Sequence, residues 1–169
     1  MSSQAPTASA SEAPTRPRYG SVLVVIGDLP TVDTVLPKAV SIAQRDRSIL
    51  TFLYAVPDTR VWFVAAGVGG TALAHLQSDP EEAARRSLRA AVARTPADIG
   101  VRTSIVRGRP GPAIIAHAAT WSYDAIIMPA GAPRRCRFWG AEAYVRRHAR
   151  IPVLLAASTR PPAVASSNA

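Results

Sequence analysis

Five short apolar runs recur along the chain. Each has the length of a β-strand, and most are rich in β-branched or large aliphatic residues. The runs are SVLVVIG (21–27), SILTFLYAV (48–56), VRTSIV (101–106), DAIIMPA (124–130) and IPVLLAA (151–157). This pattern predicts five β-strands.

Helical spacing of apolar residues fills four segments between these runs. In the first segment the apolar face consists of Val32, Val35, Leu36, Ala39, Val40 and Ala43. The second begins at Pro80 with two glutamates, as the helix dipole favours, and its buried face consists of Ala84, Leu88, Ala91 and Val92. The third opens with GRPGPAI, whose prolines suit a first helical turn, and the fourth places on one face Ala141, Tyr144, Val145 and His148. We therefore predict helices that alternate with the strands.

The alternation of strands and helices indicates βαβ units, which build a parallel sheet covered by helices on both faces. The first, second and fourth runs are continuously apolar, as central strands are. The third run alternates and the fifth contains Pro152, and both features suit an edge strand. We predict an α/β fold with one domain, a doubly wound, five-stranded parallel sheet of the Rossmann-like type in the order 3-2-1-4-5.

Length and composition set the limits of this domain. A chain of 169 residues that is 48% apolar can bury a core of ordinary size. Both ends are rich in Ser, Ala, Pro and Thr without periodicity, so we predict disordered tails at 1–18 and 159–169 around a domain at 19–158. The N-terminal stretch lacks an apolar h-region, and no uninterrupted run has the ~18 apolar residues of a membrane span. We expect neither a secretory signal nor a membrane span.

The formal net charge is +9, and nineteen of the twenty basic residues are arginine. This excess indicates either a polyanionic partner or only a coding bias, because most of the arginines are scattered. A genuine cluster lies at 134–150, which contains six arginines and a single acidic residue, Glu142. The lone cysteine, Cys136, excludes an internal disulfide and indicates a reducing cytoplasm. Its arginine-rich setting would lower a thiol pKa, but a loop thiol without a role is the simpler interpretation.

Several kinds of chemistry lack their motifs. The sequence contains no Gly-x4-Gly-Lys-Ser/Thr loop, and its one lysine is Lys38. It contains no Gly-x-Ser-x-Gly elbow, and the three histidines have no metal-ligand spacing. Aromatics that could stack on bases near the arginine cluster are limited to Phe138 and Trp139, so nucleic-acid binding is disfavoured. The sequence therefore does not indicate a P-loop enzyme, a serine hydrolase or a nucleic-acid module.

Read in order, these segments resemble the universal stress protein family. The resemblance rests on the first strand and helix (SVLVVIGDLPTVDTVLPKAVSIA), the second strand (ILTFLYAVPD), the third strand with a Gly-x-Pro helix start (IVRGRPGPAIIAHA), the fourth strand (YDAIIMPAG) and the end of the domain (VRRHARIPVLLA). The family implies a cytoplasmic homodimer tied to stress tolerance, paired through the last strand. An apolar edge strand needs a cover in any case, and a second copy would bring Ile151, Val153 and Leu154 into the interface.

The resemblance also implies a division into members that bind ATP and members that do not. In the ATP-binding members an aspartate ends the first strand, but here that position is Gly27 and an acid follows it at Asp28. The loop Gly-x2-Gly-x9-Gly-Ser/Thr follows the fourth strand of those members. Here Gly131 matches its first glycine, Arg134 replaces the second, and a short spacer leads to Gly140 without the hydroxyl. The standard ATP motif is therefore degraded.

Arginine also favours phosphate, since its planar fork binds two oxygens at once. An anion site in the crevice at the carboxyl ends of the strands is thus not excluded. The candidate residues for binding a nucleotide there are Asp28, Ala55, Gly131, Arg134, Arg135 and Gly140.

Two hypotheses follow. The first is a non-catalytic regulatory homodimer that has lost standard ATP binding and needs no cofactor. The second is a protein that binds ATP or phosphate through a rebuilt arginine-rich loop, with slow ATPase activity at most. In both hypotheses the segment 61–77, interpreted as a loop and a short helix, leaves the second strand where it could cover the crevice.

Overall fold

The computed structural model of the chain describes residues 17–57, 80–131 and 140–157. Within these ranges the strands are β1 (Ser21–Ile26), β2 (Ile49–Val56), β3 (Val101–Arg107), β4 (Ala125–Pro129) and β5 (Val153–Ala156). The helices are α1 (Leu29–Asp46), α2 (Pro80–Ala93), α3 (Pro110–Thr120) and α4 (Ala141–His148). The strands form one parallel sheet in the order β3-β2-β1-β4-β5, which confirms the predicted fold.

Side chains of the sheet alternate between two helical layers. On one face Val22, Val24 and Ile26 of β1 join a core with α1 and α2. On the other face Leu23 and Val25 join a core with α3 and α4. The central strands β1, β2 and β4 are therefore buried from both sides, as their continuous apolar runs predicted.

Most helix faces agree with the predicted spacing, but three residues are more exposed than predicted. Val92 was expected in the buried face of α2, yet 40% of it is exposed, and the buried residues of that helix are Ala84, Ser87, Leu88 and Ala91. Tyr144 was expected on the apolar face of α4, yet 38% of it is exposed. His148 was expected on the apolar face of α4, yet it is exposed, and its ring stacks on Tyr144 with 4.0 Å between the ring centroids. The short α4 buries only Ala141 and Val145.

At the amino end of the sheet, two aspartates hold the backbone that enters β1. The Asp46 carboxylate accepts the N–H of Tyr19 at 3.2 Å. The Asp124 carboxylate accepts the N–H groups of Gly20 and Ser21 at 2.7 and 2.9 Å. Three consecutive backbone donors thus have carboxylate acceptors before the ladder with β2 begins.

Two glycines determine how the chain enters α3 and how closely α3 packs against α4. Gly108 follows β3 with a φ of +120°, a conformation that glycine adopts readily. Gly111 begins α3 so close to α4 that a β-carbon there would lie 2.9 Å from Tyr144 ring and Cβ atoms. This contact fixes the position of α4 against α3, and with it the position of the helix N-terminus at the crevice.

Candidate functional site

The candidate site lies where the strand order reverses. From β1 the chain proceeds outward through β2 and β3, and then returns to the other side of β1 as β4. The carboxyl ends of β1 and β4 are therefore neighbours that lead to helices on opposite faces of the sheet. In open α/β sheets this switch point is where ligands bind.

Asp28 stands at this point, directly after β1, and acts as the N-cap of α1. Its Oδ1 accepts the backbone N–H of Thr31 at 3.2 Å and the Thr31 hydroxyl at 2.5 Å. Its own carbonyl accepts the N–H of Thr31 and that of Val32 at 3.0 and 3.2 Å. One carboxylate oxygen therefore serves the first turn of the helix, although the residue is exposed toward the crevice side of the sheet.

Gly131 and Gly140 have the backbone conformation that a tight loop needs. Their φ angles are +62° and +82°, and among the described residues no atom lies within 4 Å of the point where a β-carbon would be. A side chain at either position would be strained by the left-handed backbone. Glycine therefore provides this backbone conformation at 131 and again at 140.

Glu142 binds the backbone N–H group that follows β4. It lies in the first turn of α4, and its Oε2 accepts the N–H of Gly131 at 2.8 Å. The N-cap residue, Gly140, has no side chain to satisfy this helix end, so the negative carboxylate is favoured by the helix dipole. The chain thus supplies its own anion to the backbone donor that follows β4.

Arg146 completes this arrangement from one turn further along α4. Its guanidinium lies 3.6 Å from Oε1 of Glu142, while 21% of the Glu142 side chain is exposed. One carboxylate oxygen therefore faces the loop and the other faces a cation on the same helix. Because the arginine is 61% exposed, this ion pair is weak and Glu142 keeps its negative charge.

The structure brings together only part of the predicted residue set. Asp28 follows β1, Gly131 follows β4, and Gly140 is the N-cap of α4. Ala55 lies near the end of β2 but is 1% exposed, packed in the core with α3 and α4. Arg134 and Arg135 lie outside the described residues, as do Cys136 and the segment 61–77.

Sequence reasoning missed the role of Glu142. It counted this glutamate only as the one acid within an arginine cluster. The signal was nevertheless present, because an acid in the first turn of a helix that begins at a glycine is well placed to bind backbone donors. Nothing in the sequence indicated that the donor would come from β4.

Among the described residues no group of three or more His, Cys, Asp or Glu side chains could hold a metal ion. No helix in the same ranges is long and apolar enough to cross a membrane.

The topology defines a Rossmann-like α/β protein. Residues 18–157 match the Universal stress protein family, and the chain belongs to that family. A comparison with curated proteins found no match.

Solved structures of the same family share the fold. Universal stress protein UspA from Lactobacillus plantarum is 27% identical with a TM-score of 0.61, and the match covers 83% of this chain and 99% of that one. A universal stress protein from Archaeoglobus fulgidus in complex with dAMP is 17% identical, with a TM-score of 0.60 and coverage of 83% and 99%. A family protein from Arabidopsis thaliana with AMP bound is 11% identical, with a TM-score of 0.60 and coverage of 82% and 91%.

Proposed function

We propose that this protein is a non-catalytic regulatory member of its family in which the standard ATP cradle is closed by the chain itself. The observation that carries the proposal is the hydrogen bond from the Gly131 N–H to Glu142, 2.8 Å long. A nucleotide phosphate would need this donor and would meet a carboxylate already bound to it. Like charges at contact distance repel, so binding would require Glu142 to leave first.

Asp28 supports the same conclusion from the other side of the switch point. Its carboxylate is oriented by Thr31, through both a backbone and a hydroxyl donor. An aspartate that caps a helix stabilises the native chain, whether or not a ligand is present. The acid that is displaced by one position relative to the family pattern thus has a structural role here.

Calorimetric titration with ATP tests the proposal. The wild-type protein should show no micromolar binding with one site per chain. Replacing Glu142→Ala removes the internal anion and should improve ATP affinity by about tenfold or more relative to wild type. The matched control is Glu82→Gln, which removes a first-turn charge from α2, where the adjacent Glu81 pairs with Arg107 at the end of β3 rather than beside β1 and β4. Micromolar binding by the wild type would contradict the proposal, and an unchanged Glu142→Ala affinity would show that another feature closes the site.

The alternative function is nucleotide or phosphate binding through the arginine-rich loop, with slow ATPase activity at most. It is favoured by the positive φ of Gly131 and Gly140 and by the nucleotides bound to the Archaeoglobus and Arabidopsis relatives. In this case Arg134 and Arg135 replace the lost backbone contacts with charged forks. A double Arg134→Ala, Arg135→Ala variant should then lose the binding seen in the wild type. Binding that survives both substitutions would eliminate this alternative.

Homodimerisation through β5 is the second part of the proposal, in a reducing cytoplasm that suits a chain with one cysteine. Among the described residues β5 pairs only with β4, and Ile151, Val153 and Leu154 are partly exposed there. A charge at Leu154, as in Leu154→Asp, should give monomers in sedimentation velocity. Because that change could also disturb the core, Val153→Pro serves as a second variant.

The second variant is chosen from the hydrogen-bond pattern of the edge strand. A proline at this position removes a backbone N–H that points away from β4, so the ladder within one protomer is kept. Circular dichroism should therefore show a folded protein, and sedimentation should show a monomer. A dimer that persists in both variants would contradict pairing through β5.

A further inference from the structure

One amine reaches the free edge of the sheet. Lys38 is the only lysine in the sequence, and it lies half-buried on α1. Its Nζ donates a hydrogen bond to the carbonyl oxygen of Leu155 in β5 at 2.8 Å. Within the described ranges Lys38 forms no ion pair, so this carbonyl is its anchoring partner.

The carbonyl that Lys38 holds belongs to the outward side of β5. The oxygens of Pro152 and Ala156 accept from Ile126 and Ala130 on the β4 side, at 2.9 and 2.8 Å. Backbone groups alternate in direction along a strand, so those of Leu154 also face β4. The N–H and C=O groups of Val153 and Leu155 therefore face away from the sheet.

These outward groups would form the ladder with a second copy. In a two-fold antiparallel pair centred on Leu154, Val153 would exchange two hydrogen bonds with the partner's Leu155, and Leu155 with the partner's Val153. Each Leu155 carbonyl would then accept an N–H from the other chain. That carbonyl is the atom to which Lys38 is bonded.

We propose that Lys38 is a gate on strand pairing, which weakens the β5 interface by holding the Leu155 carbonyl. This proposal rests on the dimer proposed above, whose strength Lys38 would regulate. A charged amine held against an edge strand disfavours strand addition, because it occupies one of the two lone pairs of a ladder acceptor and its charge must lose water when an interface forms. A pair of protomers carries this cost twice.

The surroundings of Lys38 allow it to move aside. Its side chain lines a groove of about 340 Å³ between α1, the segment before β1 and β5. The other residues that line this groove are Pro17, Tyr19, Ser41, Ile42, Arg45 and Leu154. Arg45 is bound to Asp46, so it does not compete for the Leu155 carbonyl. The groove gives the amine space to leave the carbonyl when a second copy approaches.

Sedimentation velocity over a range of protein concentrations tests this inference. In Lys38→Met the unbranched stem is kept and the charge is removed, and the dimer dissociation constant should fall by about tenfold or more. In Lys38→Arg the charge and a donor are kept, so dimerisation should resemble that of the wild type. Arg86→Met removes an equal charge from an exposed position on α2 and should change nothing.

The outcomes separate the gate from the dimer. The first outcome has a wild-type dimer that Val153→Pro abolishes, with a dissociation constant that Lys38→Met leaves unchanged or raises. In that case the role of Lys38 is wrong, while pairing through β5 stands. If Lys38→Met dimerises more tightly and Val153→Pro reverses the gain, both are supported. If all variants stay monomeric, or if Val153→Pro has no effect on a dimer, strand pairing and its gate are both overturned.

Discussion

At both ends of the sheet, side-chain carboxylates accept hydrogen bonds from backbone N–H groups, but these carboxylates differ in exposure to solvent. At the amino end Asp46 and Asp124 bind the backbone N–H groups that enter β1, and the Asp46 side chain is only 2% exposed. At the carboxyl end Glu142 binds the N–H of Gly131 with 21% of its side chain exposed. Of the three carboxylates that of Asp46 is the most shielded from solvent, whereas Asp124 is exposed and Glu142 is partly exposed.

In the function that we propose, this contact of Glu142 turns a ligand crevice into a structural one. The amino end of a parallel sheet is not where such folds bind ligands, so internal carboxylates there carry no functional cost. At the carboxyl end the same device occupies the donor that a phosphate would use. An exposed carboxylate can still be displaced, and therefore the two ends should respond differently to substitution.

Substitution of Asp46 should give the largest loss of folding stability, and the loss should depend on pH. The Arg45 guanidinium, which donates two hydrogen bonds to this carboxylate, lowers the pKa of Asp46 below its ordinary value, and the Tyr19 N–H adds to the shift. A depressed folded-state pKa contributes stability that is complete above the unfolded pKa of about 4 and is lost as the pH falls through the folded value. The free energy of unfolding of the wild type, measured with urea, should therefore fall as the pH drops below about 4.

The matched variant for this prediction is Asp46→Asn. It should be less stable than the wild type at pH 7, and the difference between the two proteins should shrink in acid. A constant difference across the pH range would contradict the assigned role of the Asp46 charge.

Asp124 should give the next largest effect. Asp124→Ala removes two hydrogen bonds from a charged acceptor to Gly20 and Ser21, which should cost about 1–2 kcal/mol of unfolding free energy because the carboxylate is exposed. Asp98→Ala, at an exposed position in the loop before β3, is the control and should cost far less. Chemical denaturation measures both, and equal losses would show that the contact to β1 has no particular value.

Asp28 should give the smallest effect, and it sharpens the contrast between the two ends. Asp28→Ala removes the cap of α1 and should cost about 1 kcal/mol, whereas Asp28→Ser keeps a capping oxygen and should remain near the wild type. If Asp28 instead contacts a nucleotide, the serine variant would keep its stability and lose binding. Thermal unfolding and calorimetry on the same two variants separate these roles.

The fold could be predicted from the sequence because the apolar pattern of each strand indicates its burial and its place in the sheet. The uninterrupted apolar runs of β1, β2 and β4 reflect burial on both faces, and Pro152 placed β5 at an edge. Helix faces were less certain at the margins. Val92 is apolar and lies at the right spacing, yet its position near the end of α2 leaves it 40% exposed.

The candidate site was harder to predict because it depends on contacts between distant residues. The positive φ of Gly131 and Gly140 could be expected from their place in a family loop. The bond from Gly131 to Glu142 could not, since it requires the end of β4 and the start of α4 to be placed within hydrogen-bond distance. The contact between Lys38 and Leu155 joins residues 117 positions apart, and no local pattern encodes it.

The single lysine has a practical consequence for anyone who measures assembly. Amine-directed fluorophores, biotin reagents and cross-linkers can attach to one side chain, Lys38, besides an N-terminal amine. A tag at that position would remove the positive charge and release the Leu155 carbonyl, so the label would change the association that it is meant to report. Label-free methods, or tags on a different functional group, are the sound choice for this chain.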